Sequence, residues 1–161
     1  MTKRTGRSLP WLFAAPLLTW VVAAAVNSTA FVMGNPPSGL GSATTLVAIC
    51  AWLVAAWFAG ARESTSFLRF AVVFWIAEVA GTPLTFWALN ASPGMSATRG
   101  GLVLPLCLFA LMAPLYGLYA LLPMWEPVAQ AAAVGIATFA MTMVAYSFGR
   151  RSQRLPGSDS L

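Results

Sequence analysis

Glu78 stands midway along Phe67–Leu89, FLRFAVVFWIAEVAGTPLTFWAL, an apolar stretch long enough to cross a hydrocarbon core of about 30 Å as a helix. An ionisable side chain at that depth is costly, so it is expected to face the protein interior and marks a candidate site. On a helix it shares its face with Phe74, Gly81, Thr82 and Thr85, while Ile76, Ala80, Pro83 and Trp87 point away. The candidate ligand- or proton-binding set is therefore Glu78, Gly81, Thr82 and Thr85: one carboxyl, two hydroxyls and a glycine that leaves room beside them. Pro83 has no N–H and releases the Val79 carbonyl. With Gly81 it is expected to deform the helix next to Glu78. Desolvation penalises the charged carboxylate, and the side chain is expected to be protonated near neutral pH unless a cation reaches it. Such an acid can exchange a proton, hold a cationic ligand or donate a hydrogen bond. It can also do no more than bond across helices and hold the fold.

The rest of the chain carries little chemistry. There is no histidine among the 161 residues, which excludes histidine-ligated haem, most zinc sites and every His-dependent triad. No metal and no cofactor is expected. Cys50 and Cys107 lie in apolar stretches without a CxxC pattern and read as small buried residues. Glu126, between Trp125 and Pro127, reads as a solvated loop carboxylate, and Arg62–Glu63 as a surface pair.

Charged residues make up 8% of the chain and apolar residues 59%, against about 25% charged in a soluble domain. That deficit fits a surface facing lipid. The fold class expected is all-α: a polytopic integral membrane protein built as a five-helix transmembrane bundle. A basic segment, residues 1–8, precedes a membrane domain over 9–148, with helices near 9–33, 43–61, 67–89, 101–122 and 128–148. A polar tail over 149–161 is expected to be disordered. The first apolar run is too long for a signal-peptide core and reads as a retained helix.

Thr19, Ala23 and Asn27 form a small, polar stripe suited to helix contact. Ala56 with Gly60, and Ala131 with Gly135, are small pairs that let helices approach. Thr138, Thr142 and Tyr146 make a sparse polar line on the last helix. Gly34–Ser42, GNPPSGLGS, reads as a loop, and Ser64–Ser66 as the cap of the third helix.

Five crossings with a cytoplasmic N-terminus put Lys3, Arg4, Arg7, Arg62 and Arg69 on one side. Arg99, Arg150, Arg151 and Arg154 fall on the other, a near tie under the positive-inside rule. The first helix then decides for N-in and C-out. The expected location is a cell membrane of the bacterial inner or plasma type, and the expected partners are the lipid bilayer and further membrane subunits, of the same or another chain. The basic residues cluster at helix ends, so no nucleic acid is expected.

Ile76–Leu84, IAEVAGTPL, resembles the glutamate helix of the small multidrug resistance transporters, where Glu is followed by Gly-Thr. The resemblance implies that Glu78 exchanges protons for hydrophobic cations and that subunits pair antiparallel. It covers nine residues. That family has four helices with the glutamate in the first, and the lysine that usually follows is replaced here by the Phe86–Trp87 region. The same stretch, with five helices and Pro36-Pro37 in the first loop, resembles the tryptophan-rich sensory proteins, which bind porphyrins and other apolar ligands. Their Trp-rich loop motif does not follow Pro37. The chain is assigned to neither family on these residues.

Three functions remain open from the sequence. The first is binding or transport of a small apolar or cationic molecule around Glu78. The second is an accessory or assembly subunit of a larger membrane complex. The third is an intramembrane acid-type enzyme acting on a lipid or isoprenoid, which wants a second carboxyl or polar partner that the helices do not supply.

Overall fold

The structure, a computed structural model, describes residues 10–91, 110–121 and 127–153. All regular structure among them is helical. Four helices are long and apolar enough to cross a membrane: α1 (Trp11–Met33), α2 (Gly39–Ala61), α3 (Thr65–Ala91) and α4 (Pro127–Ser152). A 3-10 helix, η1 (Ala113–Leu121), lies between α3 and α4. The chain is thus an all-helical bundle of the kind a multi-pass membrane protein needs. The outward faces agree with this: Leu18, Val21, Val32, Val73, Ile76, Leu84 and Trp87 are exposed.

Local chemistry sets the helix ends. Ser38 accepts a hydrogen bond from the Gly41 N–H at 3.0 Å, an N-cap that starts α2 at Gly39. Residues 39–42, read from sequence as loop, are therefore the first turn of a helix. The Ser64 hydroxyl accepts from the Phe67 N–H at 3.3 Å at the start of α3. α1 ends in a Schellman turn: Gly34 is left-handed at φ 65° and the Asn35 N–H donates to the Ala30 carbonyl at 2.9 Å. α2 ends in the same turn with a glutamate in the glycine position. Glu63 has φ 50°, and the Ser64 N–H donates to the Ala59 carbonyl at 2.9 Å.

α1 and α2 run antiparallel, with Trp11 against Phe58 at one end and Asn27 against Thr45 at the other. The tight Arg62–Ser64 turn makes α3 antiparallel to α2. α4 is antiparallel to α3: Gly135 sits against Glu78 and Val79, the Tyr146 hydroxyl donates to the Ser64 carbonyl at 3.4 Å, and Arg150 pairs with Glu63 at 3.2 Å. α4 therefore starts at the end where α3 finishes, and it ends where α1 begins. Glu63 pairs with this distant arginine, not with its neighbour Arg62.

Two kinds of packing hold the bundle. α2 and α4 meet backbone to backbone: a Cβ on Gly60 would collide with the Tyr146 carbonyl, and one on Gly149 with the Trp57 carbonyl. Small residues permit this approach. The α4 helix runs on through Gly149 to Ser152, residues read from sequence as the start of the tail. Between α3 and the α1–α2 pair, aromatic rings fill the space. Trp52 contacts Phe70, Phe74 and Trp75 with ring centroids 5.6, 4.6 and 5.3 Å away, and Trp20 contacts Trp75 at 5.5 Å. Cys50, read as buried, is exposed on the outside of α2; Cys107 lies outside the described residues.

The stretch 101–122, expected to be a fifth spanning helix, differs in its described part. Residues 110–112 form a helical turn that passes directly into η1; residues 101–109 and 122 lie outside the described residues. The Trp20 indole donates to the Ala110 carbonyl at 3.3 Å, and the Tyr116 hydroxyl donates to the Asn35 carbonyl at 2.9 Å. This segment thus climbs from the middle of the bundle to the α1–α2 loop. Pro114 cannot donate to a helix ladder, and the carbonyls here are taken by α2 instead. The Thr45 hydroxyl donates to Pro114 at 2.7 Å and the Ser42 hydroxyl to Gly117 at 2.7 Å. Non-helical backbone at such depth is tolerated where protein groups satisfy it.

Candidate functional site

The face of α3 that turns inward reads Phe67, Ala71, Trp75, Glu78, Thr82, all buried. The intervals of four, four, three and four residues keep these side chains on one stripe. Glu78 is 1% exposed, as is Thr82. Neither Glu78 oxygen has a hydrogen-bond partner among the described residues, and neither does the Thr82 hydroxyl or the Trp75 indole N–H. One turn-spaced patch thus holds an unpaired carboxyl, an unpaired hydroxyl and an unpaired indole donor.

α4 supplies the opposite wall. A Cβ on Gly135 would lie 3.2 Å from Val79 Cγ2 and 3.7 Å from Glu78 Cγ, so the glycine makes space for the glutamate side chain. The neighbouring hydroxyls on α4 face inward yet give Glu78 nothing. Thr138 donates to the Val134 carbonyl at 2.8 Å and Thr142 to the Thr138 carbonyl at 2.7 Å. Gln130 is buried five residues before Gly135, which by the antiparallel run of α3 and α4 puts it near the level of Thr82.

The third wall is the segment leading into η1. Leu111 Cδ1 lies 3.0 Å from where a Cβ on Gly81 would be. The room expected beside Gly81 is taken by this leucine. α3 continues as a helix through Gly81 and Pro83 to Ala91, so the proline expected to deform it does not end it. The hydrogen bonds of the preceding and following turns, with packing from α4 and Leu111, keep it helical even though Val79 loses its usual donor.

Of the candidate residues, Glu78, Gly81 and Thr82 lie together at this junction. The side chain of Thr85 lies outside the described residues. Sequence reading missed Trp75, Gln130 and Leu111. The first two carried a usable signal: Trp75 is three residues before Glu78, and Gln130 is a polar side chain within an apolar helix. Leu111 carried none, since its position depends on how the 3-10 segment folds back.

Chemically, the patch has an acid, a hydroxyl and an indole donor but no cation among the described residues, and Val79 and Leu111 beside it are apolar. Burying polar groups without partners costs about 1–3 kcal/mol each, and sites where this is tolerated are candidates for binding. Compared with protein families, curated proteins and solved structures, the chain matches no family model, no curated protein and no solved structure.

Proposed function

We propose that this protein binds or carries a small apolar or cationic molecule at Glu78, between α3, α4 and Leu111, with the Leu111 segment moving aside to admit it. The observation that carries the reading is the set of unpaired polar atoms on one stripe of α3: both Glu78 oxygens, the Thr82 hydroxyl and the Trp75 indole N–H. A ligand with a basic or hydrogen-bonding centre would satisfy them. The apolar walls, Val79, Leu111 and Gly135, favour a ligand whose remainder is apolar. Glu78 supplies the acid, which loses its proton when a cation arrives and regains it on release. Thr82 and Trp75 orient the ligand, and Gly135 makes the depth available.

The test is a titration of purified protein with a series of lipophilic amines and their quaternary ammonium analogues. Tryptophan fluorescence, compared between the wild type and Trp75→Phe, reports binding one turn from Glu78. The expected result is saturable binding of the quaternary cations with release of a proton into weakly buffered solution. Glu78→Gln should fold normally and release none. A Glu78→Gln protein that binds as the wild type does would leave Glu78 a structural acid and favour the reading of an assembly subunit.

A further inference from the structure

The helix directions change the charge balance across the membrane. α4 runs antiparallel to α3 and ends beside the α2–α3 turn, where Arg150 meets Glu63. That end of the bundle carries Arg62, Arg69, Arg150 and Arg151, all exposed. In sequence, Lys3, Arg4 and Arg7 shortly precede the start of α1, and Arg154 shortly follows the end of α4, the two helix ends that meet at this face. By sequence adjacency alone, eight of the nine basic residues go with helix ends at this face, and Arg99, between α3 and α4 in sequence, does not. A five-crossing chain would divide the same residues five against four.

We propose that this basic end of the bundle seats on anionic phospholipid headgroups, with the chain crossing the membrane four times and residues 1 and 161 on that same, cytoplasmic side. Two observations beyond the tally support it. Among the described residues, only Arg150 has a carboxylate partner; Arg69 and Arg151 are exposed, and Arg62, also exposed, has its guanidinium 5.8 Å from the Phe58 ring centroid, which leaves its charge uncancelled. The opposite end is neutral in its described part: the α1–α2 loop, Gly34–Ser38, has no charged residue. An excess of Lys and Arg in short segments beside helix ends fixes orientation, and such segments are attracted to anionic leaflets. Parity agrees. α3 ends and α4 begins at one face, and η1, between them in sequence, covers only part of the depth.

Paired reporters test the topology. A fluorescent protein, active only in the cytoplasm, and alkaline phosphatase, active only outside it, are fused after Leu161 or inserted at Arg99. Fluorescence without phosphatase activity at Leu161, and phosphatase activity at Arg99, is the expected result. Phosphatase activity at Leu161 would establish an odd number of crossings and overturn the proposal. The headgroup is tested in vesicles of phosphatidylcholine doped with spin-labelled phosphatidylglycerol or spin-labelled phosphatidylcholine. The wild type should enrich the anionic label several-fold in its motionally restricted shell, and the triple variant R62Q/R69Q/R151Q should lose that enrichment while keeping its helical circular dichroism. Equal selectivity for the two labels in the wild type, or unchanged selectivity in the folded variant, would overturn the headgroup assignment.

Discussion

Two buried polar groups in this bundle are handled in opposite ways. At the α1–α2–η1 junction, Asn27 Nδ2 reaches the Gly41 carbonyl at 3.3 Å and Thr45 Oγ1 at 3.1 Å, and Thr45 passes its own proton to Pro114. Gly41 and Gly117 let the three backbones close on these side chains; a Cβ on Gly41 would strike Asn27 Oδ1, and one on Gly117 would strike Thr45 Oγ1. Only Asn27 Oδ1 is left without a conventional donor, and it faces the Cα of Gly41, a weak C–H donor. At the α3–α4 junction the polar atoms are equally buried, yet the Glu78 carboxyl and the Thr82 hydroxyl have no hydrogen-bond partner among the described residues. The first group spends its bonds on holding an irregular segment in place. The second keeps its bonding capacity unspent among the described residues.

Substitutions should break this contrast in a definite order. The largest effect is expected at Gly41. Gly41→Val drives a branched side chain into Asn27 and should cost about 3 kcal/mol or more, read as loss of the folded species in mild detergent. Next, Thr45→Val keeps the shape but orphans the Pro114 carbonyl, and should destabilise by about 1–2 kcal/mol in a reversible denaturation series. Glu78→Leu should have the opposite sign: removing an unpaired buried acid should raise stability by about 1 kcal/mol while abolishing ligand binding. A destabilised Glu78→Leu protein would show that the carboxyl holds the fold, and the contrast would fail. The smallest effect on stability is expected from Glu78→Gln, within about 0.5 kcal/mol of wild type. Its use is spectroscopic. The wild type should show a protonated carboxyl stretch near neutral pH in difference infrared spectra, absent from the Gln variant; a carboxylate band there would mean a cation is already paired with Glu78.

Much of this was legible in the residues. Apolar runs give the four long helices because lipid demands them, and Glu78 identifies itself by depth alone. The stripe through Ala23 and Asn27 does meet α2, and Gly60 and Gly135 do mark close approaches. What escaped has physical reasons. Gly39–Ser42 reads as loop by composition, but the Ser38 cap starts a helix there. Gly149 lies next to two arginines and reads as tail, yet it is the partner of Gly60. The 101–122 stretch is as apolar as a spanning helix, and apolarity reports only compatibility with lipid or core. The direction of α4 is a property of the whole bundle, and no local window holds it.

The Gly60–Gly149 contact also bears on how the protein is made. The Gly60 face of α2 meets α4, which leaves the ribosome about ninety residues later, or roughly 5–20 s at ordinary rates of synthesis. Through that interval the Gly60 backbone lacks the α4 contact it has in the fold. Lipid, or an insertase that shields small-residue grooves, must hold α2 until α4 arrives, and a truncation before Pro127 should leave the first three helices inserted but vulnerable to membrane proteases.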